Sequence, residues 1–286
     1  MATRSRLKKA IQGDVEVKLG SLACVGLGMT LGAHLAPRAR SFIEDADVVF
    51  VAASDPLVEL WVQGMHPDVR SLQPYYATDK MRSRTYDEMV AAMLAQVFAG
   101  KRVCGAFYGH PGVFACVPHR AVEQARNAGH DAVMEAAVSA EDCLYADLGI
   151  DPGTFGCQHY EASQFMMYRR TVDPSAYLVL WQIGVAGDPT LMSRGTGAEY
   201  REILLELLRP LYGDDHEVVI YQAATLPMDT PRADRMPLRE LLHARLNDAA
   251  TLVLPPSRPM EPNTAVVARL RRLSTTDGQA STMAGG

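Results

Sequence analysis

The chain has 286 residues, of which 48% are hydrophobic and 21% charged, and its formal net charge is −5. That length holds one large domain or two modest ones, and the acidic balance excludes the broad basic footprint of a nucleic-acid-binding protein. No apolar run reaches the roughly 20 residues that cross a bilayer. The basic first stretch (Arg4, Arg6, Lys8, Lys9) leads into no apolar segment of the secretory kind, so residues 1–18 read as a flexible basic tail on a cytoplasmic protein. Cysteines at 24, 104, 116, 143 and 157 form no C-x-x-C pair and are odd in number, which points to free thiols rather than a disulfide framework or a metal site.

The first predicted strand, 21–25, runs into Gly26-Leu27-Gly28, with Gly32 beyond. The spacing is not G-x-G-x-x-G, so a plain tight turn and a close approach to a ligand both stay open. A late helix at 38–47 carries Glu44, Asp45 and Asp47, which read as a solvated helix end, and a second strand follows at 48–52. Over 85–98, Tyr86, Met89, Val90, Met93, Leu94, Val97 and Phe98 recur with helical period; Thr85 and Glu88 form a capping-box pattern at its start and Gly100 follows its end.

The strand at 103–107 leads into Tyr108-Gly109-His110-Pro111-Gly112-Val113-Phe114. Two glycines and a proline define one backbone path at the carboxyl end of a strand, where α/β sheets take their ligands. A rigid loop whose His110 satisfies local backbone groups is the alternative. A helix at 117–128, a strand at 132–134 and a helix at 140–148 precede the turn-rich 149–153, and the strand–helix rhythm restarts with strands at 178–181, 218–221 and 251–254 and helices at 198–211 and 237–246. Most of these strands are continuously apolar, as in sheets covered on both faces. The chain thus divides into the tail 1–18, an N-terminal α/β domain 19–150 with the catalytic segment, a C-terminal α/β domain 151–265, and a helix remnant with a disordered, small and polar tail at 266–286.

The turn Gly109–Gly112 resembles the G-x-P-G turn of the tetrapyrrole methylases, the class III methyltransferases. The longer run from Phe107 to Phe114 is similar to the borosin peptide-backbone N-methyltransferases. So are Ser139-Ala140-Glu141-Asp142-Cys143-Leu144 with Ala146-Asp147-Leu148-Gly149, the Arg82-x-x-x-Tyr86-x-x-Met89 segment, Glu161-Ala162-Ser163-Gln164, Leu180-Trp181-Gln182 and Val219-Ile220-Tyr221. The resemblance covers roughly residues 19–265. It implies two α/β domains of the tetrapyrrole-methylase type, with S-adenosyl-L-methionine bound in the cleft between them and S-adenosyl-L-homocysteine as product. By position the donor contacts are Tyr108, His110, Val113, Phe114, Ser139, Ala140, Gln182, Ala223, Ala250 and Thr251, although Gln182 could equally pair with backbone and Ala223 and Thr251 could be packing.

The same resemblance implies α-N-methylation of backbone amides of a ribosomal precursor peptide, probed by Arg82, Tyr86, Tyr76 and Tyr108 as the catalytic cluster, in an interlocked homodimer. Chemistry agrees with that set. An amide nitrogen is a poor nucleophile because its lone pair is delocalised into the carbonyl. Methyl transfer therefore needs proton removal or stabilisation of an imidate-like oxygen, which a phenol and a guanidinium can supply. Tyr108 and Tyr76 are assigned to proton removal or amide positioning, and Arg82 with Tyr86 to oxygen polarisation and phenolate stabilisation. The last residues hold no Val/Ile/Leu-rich stretch, so the expected arrangement is split, with a separate precursor carrying an apolar core segment, two such chains per enzyme dimer, and iterative methylation. C-methylation of a tetrapyrrole such as a corrin precursor is the rival on the same fold. A nicotinamide-dependent oxidoreductase with Asp55 on a ribose, and a non-catalytic scaffold, are more distant. No metal is required.

Overall fold

The structure, a computed structural model, describes residues 19–53, 55–77, 80–188 and 195–283. The basic segment read as a tail, residues 1–18, lies outside the described residues.

The first half builds β1 (Ser21–Gly26), α1 (Pro37–Glu44), β2 (Val48–Ala52), α2 (Pro56–Gln63), β3 (Val69–Ser71), α3 (Arg82–Phe98), β4 (Arg102–Phe107), α4 (Cys116–Asn127) and β5 (Asp131–Met134). The five strands form one parallel sheet in the order β3-β2-β4-β1-β5. Because strand side chains alternate faces, Leu22, Cys24, Val48 and Phe50 pack under α3 and α4, while Ala23, Val25, Val49 and Val51 pack with α1 and α2. Covered on both faces, these strands have to be apolar throughout.

The second half adds α5 (Ala140–Leu148), α6 (Pro152–Phe155), β6 (Cys157–Glu161), α7 (Ala162–Met167), β7 (Tyr177–Trp181), α8 (Ala198–Tyr212), β8 (Glu217–Gln222), β9 (Arg232–Pro237), β10 (Thr251–Leu254) and α9 (Thr264–Met283). The sheet order is β6-β7-β10-β8-β9, parallel only between β6 and β7. Leu178, Leu180, Ile220 and Leu252 face α7 and α8, and Val179, Trp181, Val219 and Tyr221 face α5, whose Leu144 is fully enclosed there. The helix expected to close the first half therefore packs on the second sheet. Two α/β layers result, as expected.

Several local readings need correction. The helix expected at 85–98 begins at Arg82, with extended Met81 at its N-cap and no side-chain cap. Thr85 is buried and donates its hydroxyl to the Tyr75 carbonyl (3.4 Å), while Glu88 pairs with Lys80 and Arg84, so the expected capping box does not form. The capping box that does form joins Ser139 and Asp142. The expected helix at 237–246 is a 3-10 stretch, Leu238–His243, because the edge strand β9 extends to Pro237. The stretch from 274, read as disordered, continues α9 to Met283; a turn nucleated upstream propagates at low cost per added residue.

All five cysteines are free, and burial pushes the Cys24 thiol up to about 12. Asp47 is engaged by the backbone and guanidinium of Arg102, and no cluster able to hold a metal occurs among the described residues. No helix among them is long and apolar enough to cross a membrane.

Candidate active site

The carboxyl ends of β1 and β4 deliver two turns that are laced together. Leu27 N–H donates to the Phe107 carbonyl (2.8 Å), and Gly28 and Gly109 exchange backbone bonds of 3.2 and 2.9 Å. Both glycines have positive φ, +73° and +64°, a region that costs other residues free energy. A Cβ on Gly26 would lie 2.3 Å from the Gly109 carbonyl oxygen, so this glycine is required by the contact itself. The Gly26-Leu27-Gly28 turn thus braces the second one. Asp55, the acidic residue of the oxidoreductase reading, caps α2 by accepting from Leu57 N–H (2.8 Å).

His110 has a local partner, because its Nδ1 accepts from Gly112 N–H (2.9 Å). A Cβ on Gly112 would meet Met134 Sδ at 2.7 Å and the His110 ring at 3.2 Å, so these side chains close over the turn. Burial raises the Asp142 carboxyl, but its hydrogen bonds with Ser139 outweigh that and hold it below the usual range. A Cβ on Gly26 would meet Ala137 Cβ at 2.4 Å and Pro111 Cδ at 2.9 Å, so the glycine turn and the approach to α5 converge there.

Arg82 and Tyr86 lie one helical turn apart on α3, the spacing at which side chains share a face. Tyr76 follows the 3-10 turn Gln73–Tyr75 and meets Tyr86 edge to face, centroids 6.4 Å apart at 88°. Lys80 steadies the approach by donating to the Tyr75 carbonyl (3.0 Å) while pairing with Glu88. Tyr108 joins from the glycine turn, its N–H bonded to the Ala52 carbonyl (3.0 Å).

The phenols share one guanidinium, and their environments differ. Burial raises Tyr76, the neighbouring phenols Tyr86 and Tyr108 raise it further, and Arg82 opposes them. Burial raises Tyr108, followed by Tyr86 and Asp248, with Arg82 again opposing. Burial also raises Tyr86, but the Arg82 charge and hydrogen bonds from Tyr76 and Arg82 pull it back. All four expected catalytic residues are therefore within electrostatic reach of one another, with Arg82 half-buried.

The facing wall comes from the second sheet. Among the described residues, the only non-glycine residues with positive φ are Phe114 (49°) and Gln182 (59°), both expected donor contacts. Backbone held this way stores strain that the surroundings must hold in place, a common mark of ligand sites. The Phe114 ring lies 5.5 Å from Trp181, the residue before Gln182. Val113 N–H closes the glycine turn on the His110 carbonyl (3.3 Å), and Ala140 packs beneath at the start of α5. Ala223, Ala250 and Thr251 are enclosed, so what they offer at the cleft is backbone; the Ala250 carbonyl already accepts from Ile183 N–H (3.0 Å). The walls are tied by Thr30, whose hydroxyl donates to the Ala224 carbonyl (3.2 Å), and by Leu31 N–H to the Thr225 carbonyl (2.9 Å).

Tyr76, Tyr108 and Phe114 each leave about half of their surface open, 48%, 51% and 49%. Three open aromatic faces at laced strand ends suit a ligand with an apolar ring and a cationic centre. Residues missed in the sequence include Asp248, which faces Tyr108, and His159 with Tyr145, which lie behind Trp181. No spacing signals them, because they meet through the fold.

A parallel sheet and a mixed sheet meeting at a glycine turn ringed by phenols define a two-domain α/β enzyme scaffold. The family described as Tetrapyrrole (Corrin/Porphyrin) Methylases matches residues 21–242, and the chain belongs to it. It is 41% identical over 248 residues, 85% of its length and 63% of the relative's, to a methyltransferase/ribosomally synthesized type I borosin cyclic peptide precursor of Coprinopsis marcescibilis. It is 36% identical over 268 residues to a methyltransferase/ribosomally synthesized gymnopeptide precursor of Gymnopus fusipes, spanning 92% of this chain and 64% of that one. The chain thus spans a little under two thirds of these relatives. Among solved structures it is similar to a cobalt precorrin-4 methyltransferase of cobalamin biosynthesis, with TM-score 0.58, 16% identity and coverage of 82% and 94%, a likeness of fold.

Proposed function

We propose that the chain is an S-adenosyl-L-methionine-dependent methyltransferase that α-N-methylates backbone amides of a separate ribosomal precursor peptide, one after another along an apolar segment. The observation that carries this reading is the gathering of Tyr76, Tyr86 and Tyr108 around Arg82, beside a glycine turn with open aromatic faces. The relatives named as borosin precursors support the acceptor class.

The donor would lie against Tyr108, His110, Val113, Phe114, Ser139, Ala140 and Gln182, with backbone from Ala223, Ala250 and Thr251. It supplies a methyl group on a sulfonium sulfur, which keeps the bonding pair and ends as the thioether of S-adenosyl-L-homocysteine. The chain's own residues prepare the acceptor. Tyr86, whose upward shift Arg82 and Tyr76 oppose, is the phenol best placed to hold a negative charge and take the amide proton, a role assigned from the sequence to Tyr108 or Tyr76. Arg82 stabilises charge on the phenolate and on the amide oxygen as the proton leaves. Tyr76 and Tyr108 position the peptide unit.

We further propose a cytoplasmic homodimer carrying two precursor chains. Exposed apolar stripes at Ile203, Leu207 and Leu211 on α8 and at Val266, Leu270 and Leu273 on α9 support burial against another chain. The test is intact mass of a candidate precursor incubated with the purified enzyme and donor, alongside a corrin precursor. Stepwise gain of methyl groups on the peptide is expected. Methylation of the tetrapyrrole alone would overturn the acceptor, and methylation of neither would favour the scaffold.

A further inference from the structure

Behind the cleft, a hydrogen-bonded chain runs from the second wall to the start of α5. Trp181 is 93% enclosed, being 7% exposed, and its indole Nε1–H donates to His159 Nδ1 (3.1 Å), with the rings nearly parallel at 18° and centroids 5.9 Å apart. His159 Nε2 lies 2.7 Å from the Tyr145 hydroxyl, which donates to Glu141 Oε1 (3.0 Å) on the first turn of α5. One end of this chain is Trp181, which touches Phe114 and precedes Gln182, the two residues with strained backbone. The other end is the helix capped by Ser139.

The donors and acceptors dictate the protonation state of His159. An indole N–H can only donate, so Nδ1 must be the bare nitrogen. The Tyr145 hydroxyl gives its proton to Glu141, so Nε2 carries the ring proton and donates to the tyrosine oxygen. Only the neutral Nε2–H tautomer satisfies every group; a second proton on Nδ1 would face the indole N–H head on.

We propose that His159 is a positioning residue for the methyl-donor pocket: through Trp181 it holds the Phe114–Gln182 wall, and through Tyr145 and Glu141 it holds the start of α5. The assignment rests on the proposed donor site. The titratable groups facing His159 are Glu141 and Tyr145 from α5 and Cys157 from its own strand, the last bearing on Tyr145. Burial depresses the His159 pKa and Glu141 opposes that, so the neutral form persists below the usual histidine range. Acidification through that depressed value should therefore break the indole bond and loosen the donor pocket.

The chain has two tryptophans, so in a Trp61→Phe background Trp181 alone emits. The probe is S-adenosyl-L-homocysteine, with binding followed by calorimetry and indole emission followed in the same samples. As pH falls from about 7.5 to 5, emission and affinity are expected to fall together. His159→Phe should weaken binding about tenfold and remove that pH dependence. His159→Gln, which can accept from the indole and donate onward, should recover most of the affinity.

Wild-type affinity in His159→Phe, or equal weakening in the Gln and Phe variants, would overturn the assignment while leaving the donor site standing. Absence of binding to the wild type would instead remove the donor-site reading, and this one with it. If His159→Phe does not fold, the Trp61→Phe titration decides: coincident loss supports the role, and affinity independent of pH overturns it.

Discussion

Two groups of tyrosines in this chain face opposite partners. Under the second sheet, Tyr221 donates to Asp147 Oδ2 (2.7 Å) and Tyr145 donates to Glu141. Burial pushes both phenols above their ordinary range, helped by Asp147 at Tyr221 and by Cys157 and then Glu141 at Tyr145. At the cleft, Tyr76, Tyr86 and Tyr108 gather about Arg82, which opposes the rise in each. A phenol given to a carboxylate is a neutral pin between elements. A phenol beside a guanidinium is held closer to ionisation than its burial alone would leave it.

Substitutions can break this contrast at either end. The largest effect is expected for Arg82→Ala, about a thousandfold loss of single-turnover methylation. A loss below about tenfold would mean that Tyr86 does not depend on the guanidinium. Next comes pH. Every cleft phenol sits above its ordinary value of about 10 in the free enzyme. At neutral pH the ionised fraction is therefore small and grows with alkalinity. kcat/KM should rise about tenfold per unit between about pH 7 and 9, and a flat profile would take proton removal away from these residues. The smallest effect belongs to Tyr221→Phe, about 1 kcal/mol less stability in urea unfolding, with methylation unchanged. A large loss of rate there would erase the distinction between pin and reacting group.

How much of this was legible depended on burial. All seven strands expected from apolar runs are present, because strands covered on both faces leave an unbroken signal. β3, β6 and β9 were missed: β3 has three residues, and Arg232–Pro237 at the open edge reads Arg-Ala-Asp-Arg-Met-Pro. α2 also went unread, although Asp55 and Pro56 are ordinary start signals. At α3, Thr85 and Glu88 imitated a cap while serving tertiary contacts, which hid the helical turn joining Arg82 to Tyr86. The glycine turn could be found because its residues are contiguous. The chain Trp181–His159–Tyr145–Glu141 could not, since it links β7, β6 and α5, which only the folded sheet brings together.

The ties across the cleft from Leu31 N–H to the Thr225 carbonyl and from the Thr30 hydroxyl to the Ala224 carbonyl bear on how a long acceptor could move. Halves pinned at this point do not gape there like a jaw to release one amide and seize the next. A polypeptide methylated residue by residue in such a crevice would advance by threading, disrupting at each step only its own contacts with the lining. Progress would then be set by the grip on the thread, and bulky or charged residues in it would act as brakes.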